Sequence, residues 1–338
     1  MRYSYNPPLG RMFLLAFVAL ALLCRTGSTA QPGPGVTMKL LSAKKIWDKG
    51  RHNAFTDLIR FKERTYCVFR EADAHVSPDG KIRVLVSADF KTWKPAALLA
   101  RKGMDLRDAK ISAMPDRRLM ILGGAAPRKA RESAPTGSFV SFSKDGVSWT
   151  APKLVGDPKR WIWRITWRGA RGYAVDYSYP GKTRLLVTDN GLDYRTLLSP
   201  MCGKGAPNEA TLRFAPDRTA YCLQRRRGSA LVGRSRPPYK KWKWRDLGKF
   251  VGGPNMIPLP SGVWIGSGRF HKPKVHTALF TLDMDRGKIG AVLKLPSGGD
   301  TSYPGLLWHD GVLWVSYYSS HEGKTSIYLA GVKIAAGK

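Results

Sequence analysis

Ser143-Lys144-Asp145-Gly146-Val147-Ser148-Trp149 decides the fold, because the chain carries this pattern more than once. Ser87-Ala88-Asp89-Phe90-Lys91-Thr92-Trp93 and Thr188-Asp189-Asn190-Gly191-Leu192-Asp193-Tyr194 repeat it: a hydroxyl residue, Asp or Asn two places on, an aromatic six places on. A weaker fourth copy, from Ser235 to Trp242, is one residue longer. The three clear copies follow β-rich runs at 82–86, 138–141 and 184–187. Such a segment reads as a turn between strands. The Asp or Asn accepts hydrogen bonds from turn amides, Gly supplies a positive φ, and the aromatic packs between strands. Phe90 stands where the second and third copies have Gly, which predicts a distorted first turn.

A second echo fixes the length of the repeat. Arg64-Thr65-Tyr66-Cys67-Val68-Phe69-Arg70 is answered by Arg218-Thr219-Ala220-Tyr221-Cys222-Leu223-Gln224-Arg225. Both follow an apolar run and a short charged turn. The units then run approximately 53–100, 105–157, 161–200, 207–250, 252–296 and 299–335. Each holds three or four short strand patterns separated by Gly, Pro or Asp turns, and helical periodicity is absent from the chain beyond residue 30. Repeats of this length made of β-strands predict an all-β, six-bladed β-propeller with four-stranded antiparallel blades. The sixth unit lacks an outer strand, and residues 38–47 are placed to supply it, closing the ring and hiding a sheet edge.

Residues 1–30 read as a signal peptide, with Arg2 and Arg11 before an apolar stretch and Ser28-Thr29-Ala30 as a small-residue cleavage site. The apolar stretch, roughly 13 residues, is shorter than a membrane span, so the expectation is export to the periplasm or beyond without stable membrane insertion. Residues 31–338 form one domain in this reading. Of the cysteines beyond the signal segment, Cys67 and Cys222 lie in apolar strand patterns, and three free thiols are preferred over a Cys202–Cys222 disulfide. Lys plus Arg number 57 against 24 Asp plus Glu, a formal charge of +33. That balance favours anionic partners. The basic residues are scattered rather than gathered in a stripe, so nucleic acid is not expected. No Cys/His spacing points to zinc and no Asp-rich loop to calcium, so neither metal nor cofactor is expected.

Propeller ligands bind where the first strands of the blades converge. The starts of the six units offer Asp57, Asp108, Arg164, Glu209, Asn255 and Tyr303. The ends of second strands offer Arg70, Arg225, Arg269 and the stretch from Tyr317 and Tyr318 to Glu322. Arg107 beside Asp108 reads equally as a channel ion pair or a ligand contact. Trp161, Trp163 and Trp167 alternate along one strand pattern and read as packing between blades more than as a sugar platform.

The repeated turns resemble the Asp boxes of the sialidase family, and that resemblance extends to the second half of the funnel. It implies that Glu209, opening the fourth blade, activates Tyr303 as nucleophile, that Arg225 and Arg269 bind a substrate carboxylate, and that Glu322 steadies an arginine. A tyrosine nucleophile suits a sugar with a carboxylate on its anomeric carbon, which would repel a carboxylate nucleophile. Arginine forks match that carboxylate geometrically. Where the family carries an Arg-Ile-Pro motif, this chain reads Asn53-Ala54-Phe55-Thr56-Asp57, so either Arg70 supplies the third arginine from the adjacent strand or the carboxylate clamp is incomplete. The loop expected to hold the general acid offers Asp73 and His75, with His75 slightly favoured because imidazole titrates near neutrality. The expected activity is that of a secreted exo-glycoside hydrolase of sialidase type acting on a terminal anionic sugar of a glycan. The alternatives are a propeller glycosidase or lyase on uronic or sulfated glycans, and a non-catalytic glycan-binding propeller.

Overall fold

The computed structural model describes residues 35–127, 137–179 and 181–335; the proposed signal segment lies outside them. Six four-stranded antiparallel sheets succeed one another along the chain, with no helix among the described residues. This is a six-bladed β-propeller. The innermost strands are His52–Phe61, Met104–Ala113, Trp161–Arg168, Ala210–Phe214, Gly252–Pro258 and Thr301–His309. Thr37–Trp47 pairs antiparallel with Ser326–Ala335 as the outer strand of the sixth blade. The chain thus closes its ring with its own first strand, as the sequence predicts.

The cores lie between blades. Val68, Ile82 and Val84 of the first blade face Leu106, Ile111 and Phe139 of the second in one buried cluster. Phe55, Leu58 and Phe69 meet Tyr318, Ile327 and Leu329 across the seam between first and last blades. Cys67, Cys202 and Cys222 are free and buried.

Closer to the axis, hydrogen bonds take over from apolar packing. Every neighbouring pair of blades is tied by one. Thr56 Oγ1 donates to the Tyr303 carbonyl at 2.8 Å, Ile111 N to Asp57 Oδ2 at 3.0 Å, and Ile162 N to Ser138 Oγ at 2.8 Å. Thr166 Oγ1 donates to the Leu212 carbonyl at 2.7 Å, Thr211 Oγ1 to that of Pro254 at 2.9 Å, and Asn255 Nδ2 to that of Pro304 at 2.9 Å. The inner strands of all blades but the fourth also carry a break in register, between Ala54 and Asp57, Arg107 and Lys110, Ile162 and Arg164, Gly252 and Asn255, and Ser302 and Gly305. Four of these bulges hold a left-handed residue: Phe55 (φ 66°), Asp108 (φ 54°), Gly253 (φ 58°) and Tyr303 (φ 51°). Such a backbone costs about 1–2 kcal/mol outside glycine. Burying a phenylalanine side chain returns about 1.5–3 kcal/mol, so Phe55, 1% exposed, is stable there. Gly253 has a further reason to lack a side chain: a Cβ would lie 2.6 Å from Ser302 Oγ and 3.0 Å from Tyr303 N.

The repeated turns have a common architecture. Asp145 Oδ1 accepts the amides of Val147 and Ser148 at 2.8 Å each, and Asp89 Oδ1 accepts those of Lys91 and Thr92 at 2.9 and 2.8 Å. The Trp149 indole donates to the Gly146 carbonyl at 3.1 Å, Trp93 to Phe90 at 3.3 Å, and Trp242 to Tyr239 at 3.0 Å. The expected distortion at Phe90 does not occur. Phe90 takes the left-handed conformation (φ 61°) that Gly146 and Gly191 hold in the other copies. Its ring stacks on Trp314 of the sixth blade at 4.3 Å and 6°, which offsets the backbone strain.

The amides of Val147 and Ser148 hold the Asp145 carboxyl down to about 2, from an ordinary value of 3.8. A depressed carboxylate stabilises the fold above its unfolded pKa, and that contribution is lost as pH falls through the folded value. Asp145→Asn therefore lowers Tm relative to the parent near pH 6. The gap, followed by circular dichroism melts, narrows as pH drops from about 4 towards 2.

Candidate active site

Glu209 stands one residue before the inner strand of the fourth blade and is 5% exposed. Its backbone is fixed by neighbours: the Glu209 amide donates to Asn208 Oδ1 at 2.7 Å, and Gln224 Nε2 donates to the carbonyls of Asn208, Glu209 and Arg225. The carboxylate is fully engaged. Oε1 accepts the Tyr303 hydroxyl at 2.6 Å and Arg225 Nη1 at 2.5 Å, and Oε2 accepts the Gly253 amide at 2.9 Å. Arg225 Nη1 also lies 3.5 Å from Tyr303 Oη, and its guanidinium sits 5.5 Å from the centre of the Phe250 ring. The fourth, fifth and sixth blades each contribute to this one carboxylate.

Electrostatics separates the partners. Burial opposes the Glu209 charge, yet the charge and hydrogen bond of Arg225, the Tyr303 hydroxyl and the charge of Arg269 prevail and hold its pKa below the usual range. Burial and the adjacent Glu209 charge push the Tyr303 phenol well above its ordinary value, so it stays protonated until a base takes its proton. Its ring is walled by Phe55 (5.1 Å, 70°), Trp163 (5.5 Å) and Tyr318 (6.1 Å). Arg269 reaches the Thr301 carbonyl from Nη1 at 3.4 Å, and its buried Nε has no hydrogen-bond partner among the described residues.

The second blade supplies a charged wall. Arg107 Nε donates to Asp108 Oδ2 at 3.3 Å, Nη1 lies 3.8 Å from Asp105, and Nη2 donates to the His75 carbonyl at 3.2 Å. Burial raises Asp108 against the opposing charges of Arg107 and Lys110. Asp108 lies within electrostatic reach of both Glu209 and Tyr303. Lys110, 3% exposed, holds its ammonium 4.9 Å from the centre of the Trp163 ring and 5.4 Å from that of Tyr303. Burial and the charge of Arg164 bring it down to about 8.

Several residues expected in the funnel have their polar atoms spent on the fold. Arg70 is 0% exposed; its Nε donates to Asp105 at 3.0 Å and its terminal nitrogens to the Ala74 and Ser77 carbonyls at 2.8 Å each. It anchors the loop after its strand and is fully buried with an acceptor at each nitrogen, so the carboxylate role expected for it is corrected. Glu322 is exposed and pairs with Lys45 at 3.0 Å, at the outer closing strand rather than beside an arginine of the funnel. Asp57 Oδ2 accepts Arg164 Nη1 at 2.8 Å along with the Ile111 amide, and Asn255 Oδ1 accepts Arg213 Nη2 at 3.2 Å. These residues knit the blades together. Asp73 is exposed and its amide is held by Asp79. His75 stands at the mouth, its ring edge-to-face with Phe55 at 5.1 Å and 89°. Trp161 and Trp163 are buried, as packing requires, with Trp161 stacked on Tyr177 at 5.8 Å.

Lys110, Phe55 and Asp105 were missed from sequence. Lys110 follows Asp108 by two places in Arg107-Asp108-Ala109-Lys110, which strict alternation would place on the same face. That spacing is the signal that could have found it, since Lys110 and Asp108 do lie together beside Tyr303.

No family model matches the sequence, and no curated protein matches it. Among solved structures, a protein of unknown function from Dyadobacter fermentans superposes with a TM-score of 0.79 at 20% identity, covering 89% of this chain and 100% of that one. An α-L-arabinofuranosidase from Fusarium graminearum, bound to an iminosugar inhibitor, gives 0.67 at 14% identity over 88% of this chain and 98% of its own. The Trypanosoma rangeli sialidase in complex with the inhibitor DANA gives 0.61 at 12% identity over 89% of this chain and 60% of its own. The likeness establishes the fold: a six-bladed propeller of the architecture these glycoside hydrolases share.

Replacing Arg70 with Met removes the charge and leaves Asp105 and the loop carbonyls without their buried partner. Denaturant unfolding of Arg70→Met should show a loss of about 3–5 kcal/mol, the range for removing one member of a buried ion pair. A change within about 0.5 kcal/mol would return Arg70 to the pool of ligand-binding residues.

Proposed function

We propose that the protein is an exported exo-glycoside hydrolase of sialidase type, acting on a terminal sugar that carries an anion. One observation carries the reading. The Tyr303 hydroxyl donates to the ionised Glu209 carboxylate at 2.6 Å, which Arg225 and the Gly253 amide hold from other sides. A tyrosine paired with a buried base is an activated nucleophile, and it avoids the repulsion a carboxylate nucleophile would meet from an anionic anomeric centre.

In this mechanism Tyr303 Oη attacks the anomeric carbon while Glu209 takes its proton. Asp108 protonates the departing glycosidic oxygen. It is favoured over Asp73 and His75, since burial raises its pKa while that of nearby Glu209 is lowered. Two carboxyls pushed apart in this way divide the acid and base roles. Water then resolves the glycosyl-tyrosine intermediate, with the proton steps reversed. The open donors of Arg269, with the free edge of Arg225 and the ammonium of Lys110, receive the substrate anion. This cationic excess beside Tyr303 favours an anionic sugar over a neutral one such as arabinose, named in the arabinofuranosidase neighbours. Uronic or sulfated sugars share the required charge.

The test uses a methylumbelliferyl sialoside beside uronide, sulfated and arabinofuranoside analogues. Tyr303→Phe should lower kcat/KM by about 10³-fold or more, and Glu209→Gln by about 10²–10⁴-fold. Neither change should disturb the circular dichroism spectrum. Turnover of any analogue that persists undiminished in Tyr303→Phe would sink the nucleophile assignment. Binding of glycan without turnover in the parent would favour a glycan-binding propeller.

A pH profile of kcat/KM tests the acid. Activity should fall on the acid side as Glu209 is protonated, below the ordinary glutamate value of 4.5, and on the alkaline side as Asp108 ionises, above the ordinary aspartate value of 3.8. Asp108→Asn should depress activity on substrates with poor leaving groups and abolish the alkaline limb. An alkaline limb unchanged in Asp108→Asn would return the acid role to His75.

A further inference from the structure

His52, His75 and Asp300 are far apart in the chain and meet at the seam between the first and last blades. His52 opens the inner strand of the first blade, His75 lies in the loop after Arg64–Ala72, and Asp300 immediately precedes the inner strand of the sixth. His52 Nε2 and His75 Nδ1 approach the same atom, Asp300 Oδ2, at 2.9 and 2.7 Å. The three candidate ligand atoms lie within 4.8 Å of one another. The carboxylate is oriented from behind. The Tyr318 hydroxyl donates to Oδ1 at 3.0 Å, and the Asp300 amide donates to Ser320 Oγ at 2.8 Å, leaving Oδ2 turned towards the imidazoles. Phe55 packs against both rings, at 6.3 Å from His52 and 5.1 Å from His75.

We propose that this trio binds a zinc ion. Two imidazoles and one carboxylate are the donor set of an open zinc site, with the fourth position left to water or a substrate oxygen. The imidazoles select a borderline cation over magnesium or calcium. Zinc bonds of about 2.0–2.2 Å require ligand atoms about 3.3–3.5 Å apart, so the two N···O separations open by about half an ångström on binding. The Tyr318 hydroxyl is the outer partner that such a carboxylate needs. Two cations facing this loop, Arg70 and Arg107, are compensated by Asp105 and Asp108. His52 is buried and His75 is half exposed, which gives the ion both a fixed ligand and an entry path. Because its ligands come from the first and the last blade, the ion braces the closing seam and pins the loop carrying His75 one aromatic ring away from Tyr303.

The assignment stands apart from the hydrolase reading, and the experiment keeps them apart. Chelator-treated full-length protein is titrated with zinc chloride by isothermal calorimetry, and melts are recorded with and without zinc. One equivalent should bind and raise Tm by mass action. His75→Ala and Asp300→Asn should each weaken binding by about 100-fold or more, and Tyr318→Phe by about 10-fold. Tyr303→Phe should bind zinc as the parent does. His75→Ala, altered only at a half-exposed side chain, should melt near the zinc-free parent and gain nothing from the metal. Lack of saturable binding near one equivalent overturns the site, and so does binding undiminished in both His75→Ala and Asp300→Asn. The trio is then a hydrogen-bonded clasp alone.

Discussion

Around the axis, each inner strand must satisfy two neighbours at once. It pairs along its length with the second strand of its own blade, and it must also hydrogen-bond sideways to the next blade. In five of the six blades a bulge accompanies these sideways contacts and releases one residue from the ladder, while the regular fourth strand makes them through the Thr211 hydroxyl and the Leu212 carbonyl. The same bulges position the chemistry. Tyr303 and Asp108 occupy corresponding left-handed bulge positions, while Phe55 and Gly253 use the position for packing and for clearance. In the second and sixth blades the bulge beside the inter-blade hydrogen bonds thus also places a reactive group.

Within that ring, similar side chains are driven to different charge states by what surrounds them. Glu209 and Asp108 are both buried carboxyls. Glu209 collects a guanidinium, a phenol and a backbone amide, and remains an anion; Asp108 has its ion pair with Arg107 outweighed by burial and is raised. The arginines divide in the same way. Arg70 has an acceptor for each of its nitrogens, whereas Arg269 keeps a buried Nε without one among the described residues. The donors of Arg70 are spent on the scaffold, and those of Arg269 are not all so spent.

The fold was legible because the turn motif recurs with its chemistry intact, and because residues 38–47 had no partner elsewhere in the repeat. The Glu209, Tyr303, Arg225 and Arg269 neighbourhood was legible from blade position, since each lies at a strand end that the repeat points inward. Arg70 was misread because position alone cannot tell whether a guanidinium is already occupied; that depends on Asp105 of the next blade and on carbonyls of its own loop. Phe90 was misread because the compensating partner, Trp314, belongs to the last blade. The His52, His75 and Asp300 cluster left no spacing signature, since its members come from opposite ends of the chain and become neighbours only when the ring closes.

That closure orders events in time. The outer strand of the sixth blade, Thr37–Trp47, is made first, and its partner, Ser326–Ala335, is made last. A chain emerging from its N-terminus carries an unpaired strand past five completed blades before the matching edge exists. Until then the first strand's amides and carbonyls are open to any other sheet edge they meet. The charges at Lys39, Lys44 and Lys45 along it are suited to discourage such strangers. Maturation thus ends in a single late event that joins the oldest and the newest parts of the polypeptide, and a chain cut short at either end would be left with an open seam.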